Sequence, residues 1–303
     1  MSEAEVLIRG ARVVDGTGNP WVHGDVVLRG DRVLDVLPAG SVSPGRVAEV
    51  VEASGMVVCP GFIDILSHSI VPLMIDQRCL SKVTQGVTTE VMGEAWTPAP
   101  FGGRVDDPLP LRSTGAVPDE WRERARGWRR FGDWLAAMGE HGVTPNLASF
   151  LGGGTVRQYV RGMEMGPSSA DDLASMRRLA ADAMEDGALG VSYALIYPPD
   201  TYAATDELVE VARAVAEHGG IYVSHLRSEA GRLLDAIAET LEIGRRAGLP
   251  VEVYHLKAAG NRNWPLMGSA IEAIASARAR GQDVTADMYP YVAGGTGLSS
   301  VLP

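Results

Sequence analysis

The chain has 303 residues, of which 46% are hydrophobic and 21% charged, and its formal net charge at pH 7 is −11. This acidic balance argues against nucleic acid or an anionic membrane surface as a binding partner. No apolar run is long enough to span a membrane, and the N-terminus lacks the basic and apolar segments of a signal peptide, so a cytoplasmic location is expected.

The first 57 residues predict a small β-sandwich domain. Short β-type runs alternate with turn residues, and Asp15-Gly16 and Gly30-Asp31 are typical of the turns in antiparallel hairpins. From residue 58 onward the pattern changes to alternating strands and helices, which predicts a second domain over residues 58–303.

The second domain is predicted to be α/β with a parallel sheet. One of its amphipathic helices begins at Ser168-Ser-Ala-Asp171, a pattern close to a capping box. Seven alternating units favour a TIM-like (β/α)8 barrel over a doubly wound sheet, and because no eighth strand precedes Pro303 we expect the barrel to lack its last strand. The predicted strands are Val57–Leu66, Thr88–Met92, Asn146–Leu151, Leu189–Ala194, Ile221–His225, Val251–His255 and Asp283–Met288.

Residues 95–130 interrupt this alternation and are too long for a simple connection between a strand and a helix. They contain five prolines and the tryptophans Trp96, Trp121 and Trp128. Two interpretations are open, a lid over the mouth of the barrel or a surface excursion packed by its own tryptophans.

Two histidines end predicted strands that lie one βα unit apart, in Ile221-Tyr-Val-Ser-His225 and Val251-Glu-Val-Tyr-His255. In a (β/α)8 barrel the carboxyl ends of the strands converge on one mouth, where catalytic residues collect. The repeated pattern therefore predicts two imidazoles that bind a common metal ion. The alternative is that each histidine only satisfies a hydrogen bond at its own strand end, which is less favoured for a pair than for a single histidine.

A set of further segments follows the predicted β-sandwich in a definite order. They are Pro60-Gly-Phe-Ile-Asp64, Thr84-Gln-Gly-Val-Thr-Thr89, Asn146-Leu-Ala-Ser-Phe-Leu-Gly152, Ile196-Tyr-Pro-Pro199, Ser224-His-Leu-Arg-Ser-Glu229, Tyr254-His-Leu-Lys-Ala-Ala-Gly260 and Asp287-Met-Tyr-Pro-Tyr291. Each segment is weak alone, but their combined order resembles the N-acyl-D-amino-acid deacylase (D-aminoacylase) family of the amidohydrolase superfamily over essentially the whole chain.

The resemblance implies hydrolysis of the acyl-amide bond of an N-acyl-D-amino acid or a related small amide by a zinc-bound water, with Zn²⁺ as the cofactor. By position, His225 and His255 are similar to the imidazole ligands of the zinc, and His68 is similar to the second histidine of an HxH motif on strand one. Asp64 matches the aspartate that precedes this motif. The resemblance implies that this aspartate orients the ligand residues or has a structural role and does not bind the metal itself.

Four residues are candidates for substrate binding. Tyr197, Lys257 and Tyr289 match family positions that contact the substrate carboxylate or the scissile carbonyl. Lys257 lies two residues beyond His255, so on an extended strand end it is expected to project to the same side. Arg227 and Glu229 follow His225 closely, and they either shape the pocket or pair with one another.

The chain departs from the family pattern at the metal ligands. Leu66 stands where the HxH motif has its first histidine, so a second metal would lose a ligand. Ala95 stands where the family has a cysteine ligand, and the preceding Glu94 is the candidate substitute because a carboxylate is a competent zinc ligand. The alternative role for Glu94 is a hydrogen bond to loop amides.

Two further departures concern catalysis and the substrate carboxylate. The family's catalytic aspartate lies on strand eight, so no catalytic residue is identified in this chain, and Asp287 on strand seven is not its equivalent. Gly295 stands where the family has a serine after the segment that contains Tyr289, which weakens the inferred carboxylate pocket.

Two other functions remain open on the sequence alone. An amidohydrolase for a cyclic amide or a dipeptide usually carries a lysine on strand four, where this chain offers Ser192 and Tyr193 instead. A truncated, catalytically inactive barrel fragment is favoured by Leu66 and by the missing eighth strand.

Overall fold

The computed structural model of the chain describes residues 4–43, 45, 47–110 and 117–296, and the chain divides into two compact units, residues 1–62 and 63–303. The predicted boundary at residue 57 falls inside the first unit. Residues 111–116 of the predicted insertion, and residues 297–303 with the predicted chain end at Pro303, lie outside the described residues. Within the described ranges, every helix is too short or too polar to cross a membrane.

Strands form the first unit, and strands and helices share the second. The strands are β1 (Ala4–Val13), β2 (Val22–Arg29), β3 (Arg32–Pro38), β4 (Val47–Glu52), β5 (Val57–Val58), β6 (Phe62–Asp64), β7 (Val87–Met92), β8 (Asn146–Ser149), β9 (Leu151–Gly152), β10 (Gly190–Ala194), β11 (Ile221–His225), β12 (Val251–Val253) and β13 (Val284–Ala286). The helices are α1 (Ile70–Ile75), α2 (Leu80–Val83), α3 (Asp119–Ala125), α4 (Phe131–His141), α5 (Gly153–Arg161), α6 (Ala170–Glu185), α7 (Thr205–Ala216), α8 (Leu233–Ala247) and α9 (Leu266–Ala279).

The first unit contains a five-stranded sheet in the order β3-β2-β1-β4, with β5 also paired to β1. The pairs β1/β2 and β2/β3 are antiparallel, as the hairpin turns predicted. In contrast, β4 and β5 run parallel to β1, because the connection after β3 carries the chain back across the sheet before β4 begins. Among the described residues of this unit no second sheet faces the first, so the sandwich stays a prediction.

The second unit is α/β with parallel sheets, which confirms the predicted class. One sheet has the order β13-β12-β11-β10-β9 with all of its neighbouring pairs parallel, and the other has the order β6-β7-β8. The single residue Phe150 separates β8 from β9, so the two sheets follow each other directly along the chain. Consecutive parallel strands bring their carboxyl ends to the same edge, which is where the candidate site forms.

Four predicted strands are wrong in their extent. The run predicted as Asn146–Leu151 is divided into β8 and β9, and the run predicted as Asp283–Met288 is shortened to β13. The run predicted as Val57–Leu66 is split into β5 and β6, because Pro60 between them has no N–H to donate to a sheet. The run predicted as Val251–His255 ends at Val253, and His255 adopts a φ of +37°, outside the extended region.

The core of the second unit lies between the parallel strands and the helices that follow them. Helix α6 packs against α7, α7 against α8, and α8 against α9. A capping box is present at the start of α6 one residue later than the predicted Ser168–Asp171, since Ser169 Oγ accepts the N–H of Asp172 and the Asp172 carboxylate accepts the N–H of Ser169. The largest buried aromatic side chains of this unit are Phe131, Trp134, Phe150, Tyr193, Tyr222 and Tyr254.

The predicted insertion at residues 95–130 is packed onto the second unit where the structure describes it. Trp121 and Trp128 are buried and belong to the main hydrophobic core, and Trp96 is half-buried against the same core. This packing agrees with the second interpretation, a surface excursion packed by its own tryptophans. A lid that closes over the site stays a prediction.

Candidate functional site

Three side chains, two from the neighbouring strands β11 and β12 and one from the end of β7 in the other sheet, meet at one point of the second unit. Glu94 follows β7 after one glycine, His225 is the last residue of β11, and His255 lies two residues beyond β12. One ligand atom from each of the three lies within 4.8 Å of the ligand atoms of the other two. Glu94 Oε1 is 3.3 Å from His225 Nδ1 and 3.7 Å from His255 Nε2. The sequence therefore predicted a set of side chains that the fold does bring together.

This group of side chains has the features of a cation site. Both histidines are buried and the Glu94 side chain is only 9% exposed, and the Oε1 atom of Glu94 and the Nε2 atom of His225 have no hydrogen-bond partner among the described residues. A buried polar atom without a partner costs free energy, so it needs a ligand or a compensating function. One carboxylate oxygen and two imidazole nitrogens are a donor set that zinc accepts, so these residues fit a bound zinc ion.

The backbone at this site is constrained. Gly93, which precedes Glu94, has a φ of +99°, and a Cβ atom there would lie 2.1 Å from the carbonyl oxygen of Phe150. Ala95, with φ +57°, and His255, with φ +37°, also adopt positive φ values that side-chain-bearing residues rarely adopt. Such conformations cost free energy and concentrate at functional sites.

The charges of the site depend on one another. Burial alone would raise the pKa of the Glu94 carboxyl, but the three histidine rings around it outweigh burial and hold that pKa well below its usual value. Burial would likewise lower the pKa of His255, but the nearby carboxylates of Glu229 and Glu94 outweigh burial and raise the pKa to about 9. The site without metal is therefore an anionic carboxylate facing a protonated imidazole.

His68 and Asp64 lie beside this centre rather than within it. His68 Nε2 is 3.2 Å from the second carboxylate oxygen of Glu94, and the His68 side chain is 73% exposed. The Asp64 carboxylate pairs with the Lys82 ammonium and accepts the backbone N–H of Leu66 at 3.2 Å. His68 is thus close enough to Glu94 to contact a metal ion from the solvent-exposed side of the site. Asp64 instead stabilises the backbone at Leu66, two residues before His68.

A cavity of about 1570 Å³ opens onto the candidate ligands. Tyr197, Lys257 and Tyr289, the candidates for substrate binding, all line it. The Lys257 Nζ atom lies 5.5 Å from the centre of the Tyr289 ring, 2.5 Å from Glu229 Oε1 and 2.8 Å from His255 Nδ1. Because β12 ends before His255, a turn and not an extended strand brings Lys257 to this histidine, contrary to the prediction.

Arg227 is placed elsewhere and does not line the cavity. Its guanidinium donates to both carboxylate oxygens of Glu239 on α8, at 2.8 and 3.0 Å, and to the carbonyl oxygens of Thr201 and Ala203. These partners occupy four of the five N–H donors of the guanidinium, which is the geometry of a structural ion pair. The alternative pairing with Glu229 is also absent, because Glu229 faces the other way.

Glu229 and Asp287 are the acidic neighbours of His255 that a search for ligand residues misses. Glu229 Oε1 lies 3.0 Å from His255 Nδ1, and Asp287 Oδ1 accepts the backbone N–H of His255 at 2.6 Å. Burial raises the pKa of Asp287 to about 7, and Asp287 does not line the cavity, which agrees with its exclusion from a catalytic role. For Glu229, the one sequence sign is its spacing of four residues from His225.

Comparison with known proteins shows which proteins the chain resembles in sequence and in fold. No protein-family model matches the chain. The chain is 35% identical to the D-aminoacylase of Alcaligenes xylosoxydans xylosoxydans over 296 residues, which are 97% of this chain and 59% of the relative. It also matches a crystal structure of D-aminoacylase, described as defining a novel subset of amidohydrolases, with a TM-score of 0.84 and 33% identity over 96% of this chain and 59% of that chain.

A third comparison bears on the metal. An N-acyl-D-glutamate deacylase from Bordetella bronchiseptica, solved with zinc and a phosphonate inhibitor that mimics the tetrahedral intermediate, matches with a TM-score of 0.81 and 28% identity over 95% of this chain and 59% of that chain. The chain thus spans about three fifths of the length of these relatives. Over the part that it spans, the chain is similar in sequence and in fold to the N-acyl-D-amino-acid deacylases (D-aminoacylases).

Proposed function

We propose that the protein is a zinc-dependent hydrolase of the acyl-amide bond of N-acyl-D-amino acids, built on a (β/α)8 barrel. The observation that carries the proposal is the meeting of Glu94, His225 and His255 at the carboxyl edge of parallel strands, beside a large cavity. The 35% identity to a D-aminoacylase supports the reaction, and a zinc-complexed relative supports the metal. Active sites of (β/α)8 enzymes lie at this edge.

The three buried side chains would hold the metal, with His68 as the candidate for a further contact. A zinc ion bound there would polarise the scissile carbonyl of the substrate and would lower the pKa of a water molecule to about 7. The chain's own contribution is to orient the substrate, for which Lys257, Tyr197 and Tyr289 are available on the cavity wall. The ammonium of Lys257 suits the α-carboxylate that every N-acyl amino acid carries.

The rival substrates, cyclic amides and dipeptides, receive no support from this site. Their enzymes usually carry a lysine on strand four, which corresponds to β10 here. The described residues of β10 are Gly190-Val-Ser-Tyr-Ala194, and the Tyr193 side chain is buried in the hydrophobic core.

Release of free amino acid from N-acetyl-D-amino acids tests the proposal. The purified protein with zinc should release amino acid from the D substrate, and chelation of the metal should stop the release. N-acetyl-L-amino acids serve as the matched control for stereochemistry. Equal release with and without the chelator would contradict a zinc-dependent reaction, and equal release from both enantiomers would contradict the proposed substrate class.

The cavity predicts a preference for substrates with a neutral side chain. Of the described residues that line it, Lys257 is the one lysine or arginine, and its ammonium is already beside Glu229. A second substrate carboxylate would lose its hydration without gaining a cation, which is costly. Much of the remaining wall is apolar, including Ile70, Val71, Trp96, Ile196, Trp264 and Met288.

We therefore expect N-acetyl-D-asparagine to be hydrolysed with a kcat/KM at least about tenfold above that of N-acetyl-D-aspartate, a difference of about 1.4 kcal/mol in the free energy of activation. These two substrates share shape and differ in charge. N-acetyl-D-leucine should exceed both. A preference for the aspartate substrate would show that a cation outside the described cavity wall faces the substrate side chain.

The affinity for zinc should rise with pH below about pH 9. In the metal-free site the His255 pKa is raised to about 9, so the ring is protonated at neutral pH and zinc must displace that proton. One displaced proton gives an increase of about tenfold in affinity for each pH unit, and the increase should level off above the pKa. Titration with zinc at about pH 6, 7 and 8 measures the slope. An affinity that does not change over this range would contradict the protonated state of His255.

A further inference from the structure

We propose that Glu229 is a positioning residue that serves two neighbours at once, holding the His255 ring in the form that binds metal and the Lys257 ammonium in place for the substrate. The inference rests on the proposed function, and it assigns a role to a carboxylate that lies next to the candidate ligands without being one of them. The contacts of one carboxylate oxygen, Glu229 Oε1, support this proposal.

That atom, Glu229 Oε1, makes close contacts on three sides. It lies 2.5 Å from Lys257 Nζ, 3.0 Å from His255 Nδ1 and 3.7 Å from His225 Nε2. The Glu229 side chain is only 13% exposed, so water does not compete strongly for these contacts. Its backbone is held as well, because the N–H of Ala259 donates to the Glu229 carbonyl at 2.7 Å.

The two nitrogens of His255 face different partners. Nε2 lies on the side of Glu94, at 3.7 Å from Oε1, and Nδ1 lies on the side of Glu229. A neutral imidazole carries one hydrogen, so a ring that offers the lone pair of Nε2 to a metal must carry its hydrogen on Nδ1. Glu229 is the acceptor that this hydrogen needs.

Lys257 creates a competing arrangement that Glu229 prevents. The Lys257 ammonium is 2.8 Å from His255 Nδ1, and an ammonium can only donate. If it donated to Nδ1, the ring hydrogen would move to Nε2 and would face Glu94, in the position that a metal ion needs. Because Glu229 Oε1 is within reach of both nitrogens, the Lys257 ammonium and the Nδ1–H can both donate to this carboxylate, which leaves the lone pair on Nε2.

The same arrangement prepares Lys257 for the substrate. One ammonium hydrogen is directed to Glu229, and another can donate to the His255 carbonyl oxygen at 3.1 Å. The third is then available on the cavity side, next to the Tyr289 ring. A carboxylate–histidine–metal arrangement is a general way to orient a metal ligand, and its loss typically costs about 10- to 100-fold in metal affinity.

Glu229→Gln, which keeps the shape and removes the charge, tests the proposal. We expect its zinc affinity to fall about 10- to 100-fold relative to the parent protein, measured by competition with a chromophoric chelator. Glu239→Gln is the matched control, because the Glu239 side chain is 14% exposed and also pairs with a cation, Arg227, but lies away from the cavity. Its zinc affinity should equal that of the parent.

A second comparison separates positioning from general damage to the fold. Glu229→Gln combined with Lys257→Met removes the competing donor, so the double variant should regain part of the lost zinc affinity. Nitrogen-15 NMR of labelled histidine should show the ring hydrogen on Nδ1 of His255 in the zinc-bound parent. Failure of the parent to bind zinc would overturn the proposed function itself. A parent that binds zinc and a Glu229→Gln variant of equal affinity, or a double variant with no recovery, would overturn this inference alone.

Discussion

Replacing both His225 and His255 by alanine should abolish stoichiometric zinc binding, whereas the parent chain should bind about one zinc ion per protomer. The two rings face the same carboxylate oxygen, and their centroids lie 4.4 Å apart. Without them Glu94 is left with His68, whose side chain is largely exposed. A carboxylate and one exposed imidazole do not complete a tetrahedral site.

Metal analysis of protein prepared with zinc measures the stoichiometry, and thermal unfolding gives a second readout. A ligand that binds only the folded state raises its stability, so zinc should raise the Tm of the parent and leave that of the double variant unchanged. The control is a second double variant, His141→Ala/His218→Ala, since neither of these histidines lines the cavity. Equal zinc content in the parent and the His225→Ala/His255→Ala variant would refute the site.

Glu94→Gln should lower zinc affinity by at least about tenfold, which corresponds to about 1.4 kcal/mol of binding free energy. The substitution keeps the shape of the side chain and removes the negative charge that His225 Nδ1 and His255 Nε2 both face. A neutral amide oxygen is a weaker zinc ligand than a carboxylate oxygen. Glu94→Ala, which removes the ligand atom, should lose more affinity than Glu94→Gln.

The matched control for this prediction lies on the same segment of chain. Glu90, on β7, is fully buried and accepts hydrogen bonds from Ser67 and Cys79. Glu90→Gln therefore removes a buried charge of the same type without touching the candidate ligands. If the two variants lose zinc equally, the effect comes from the fold or the overall charge, and Glu94 is not a ligand.

The fold class and the candidate metal ligands could be predicted because each depends on a local pattern. Alternation of short apolar runs with amphipathic helices is enough to indicate parallel strands, and parallel strands present their carboxyl ends at one edge. A histidine that ends one run and is repeated one βα unit later is thereby directed to the same edge. His225 and His255 are such a pair, and they meet beside Glu94 in the structure.

The extent of the strands could be predicted less well. Where β12 ends depends on the backbone of His255, whose N–H is taken by the Asp287 carboxylate from the segment that follows β13. Such a contact spans about thirty residues of chain and has no local pattern. Lys257 does lie near His255, but a turn and not the expected strand joins the two residues.

Sequence by itself determined the residues that could bind a metal, because imidazole and carboxylate chemistry is carried by residue type and by position at strand ends. Only the tertiary structure decided the partners of Arg227 and Glu229, which are two residues apart in the chain. Arg227 turns to Glu239 on α8, and Glu229 turns to Lys257 and His255 at the cavity. Both carry charges that any nearby partner could satisfy, so the packing of distant segments around them, and not their own spacing, set which partner each one found.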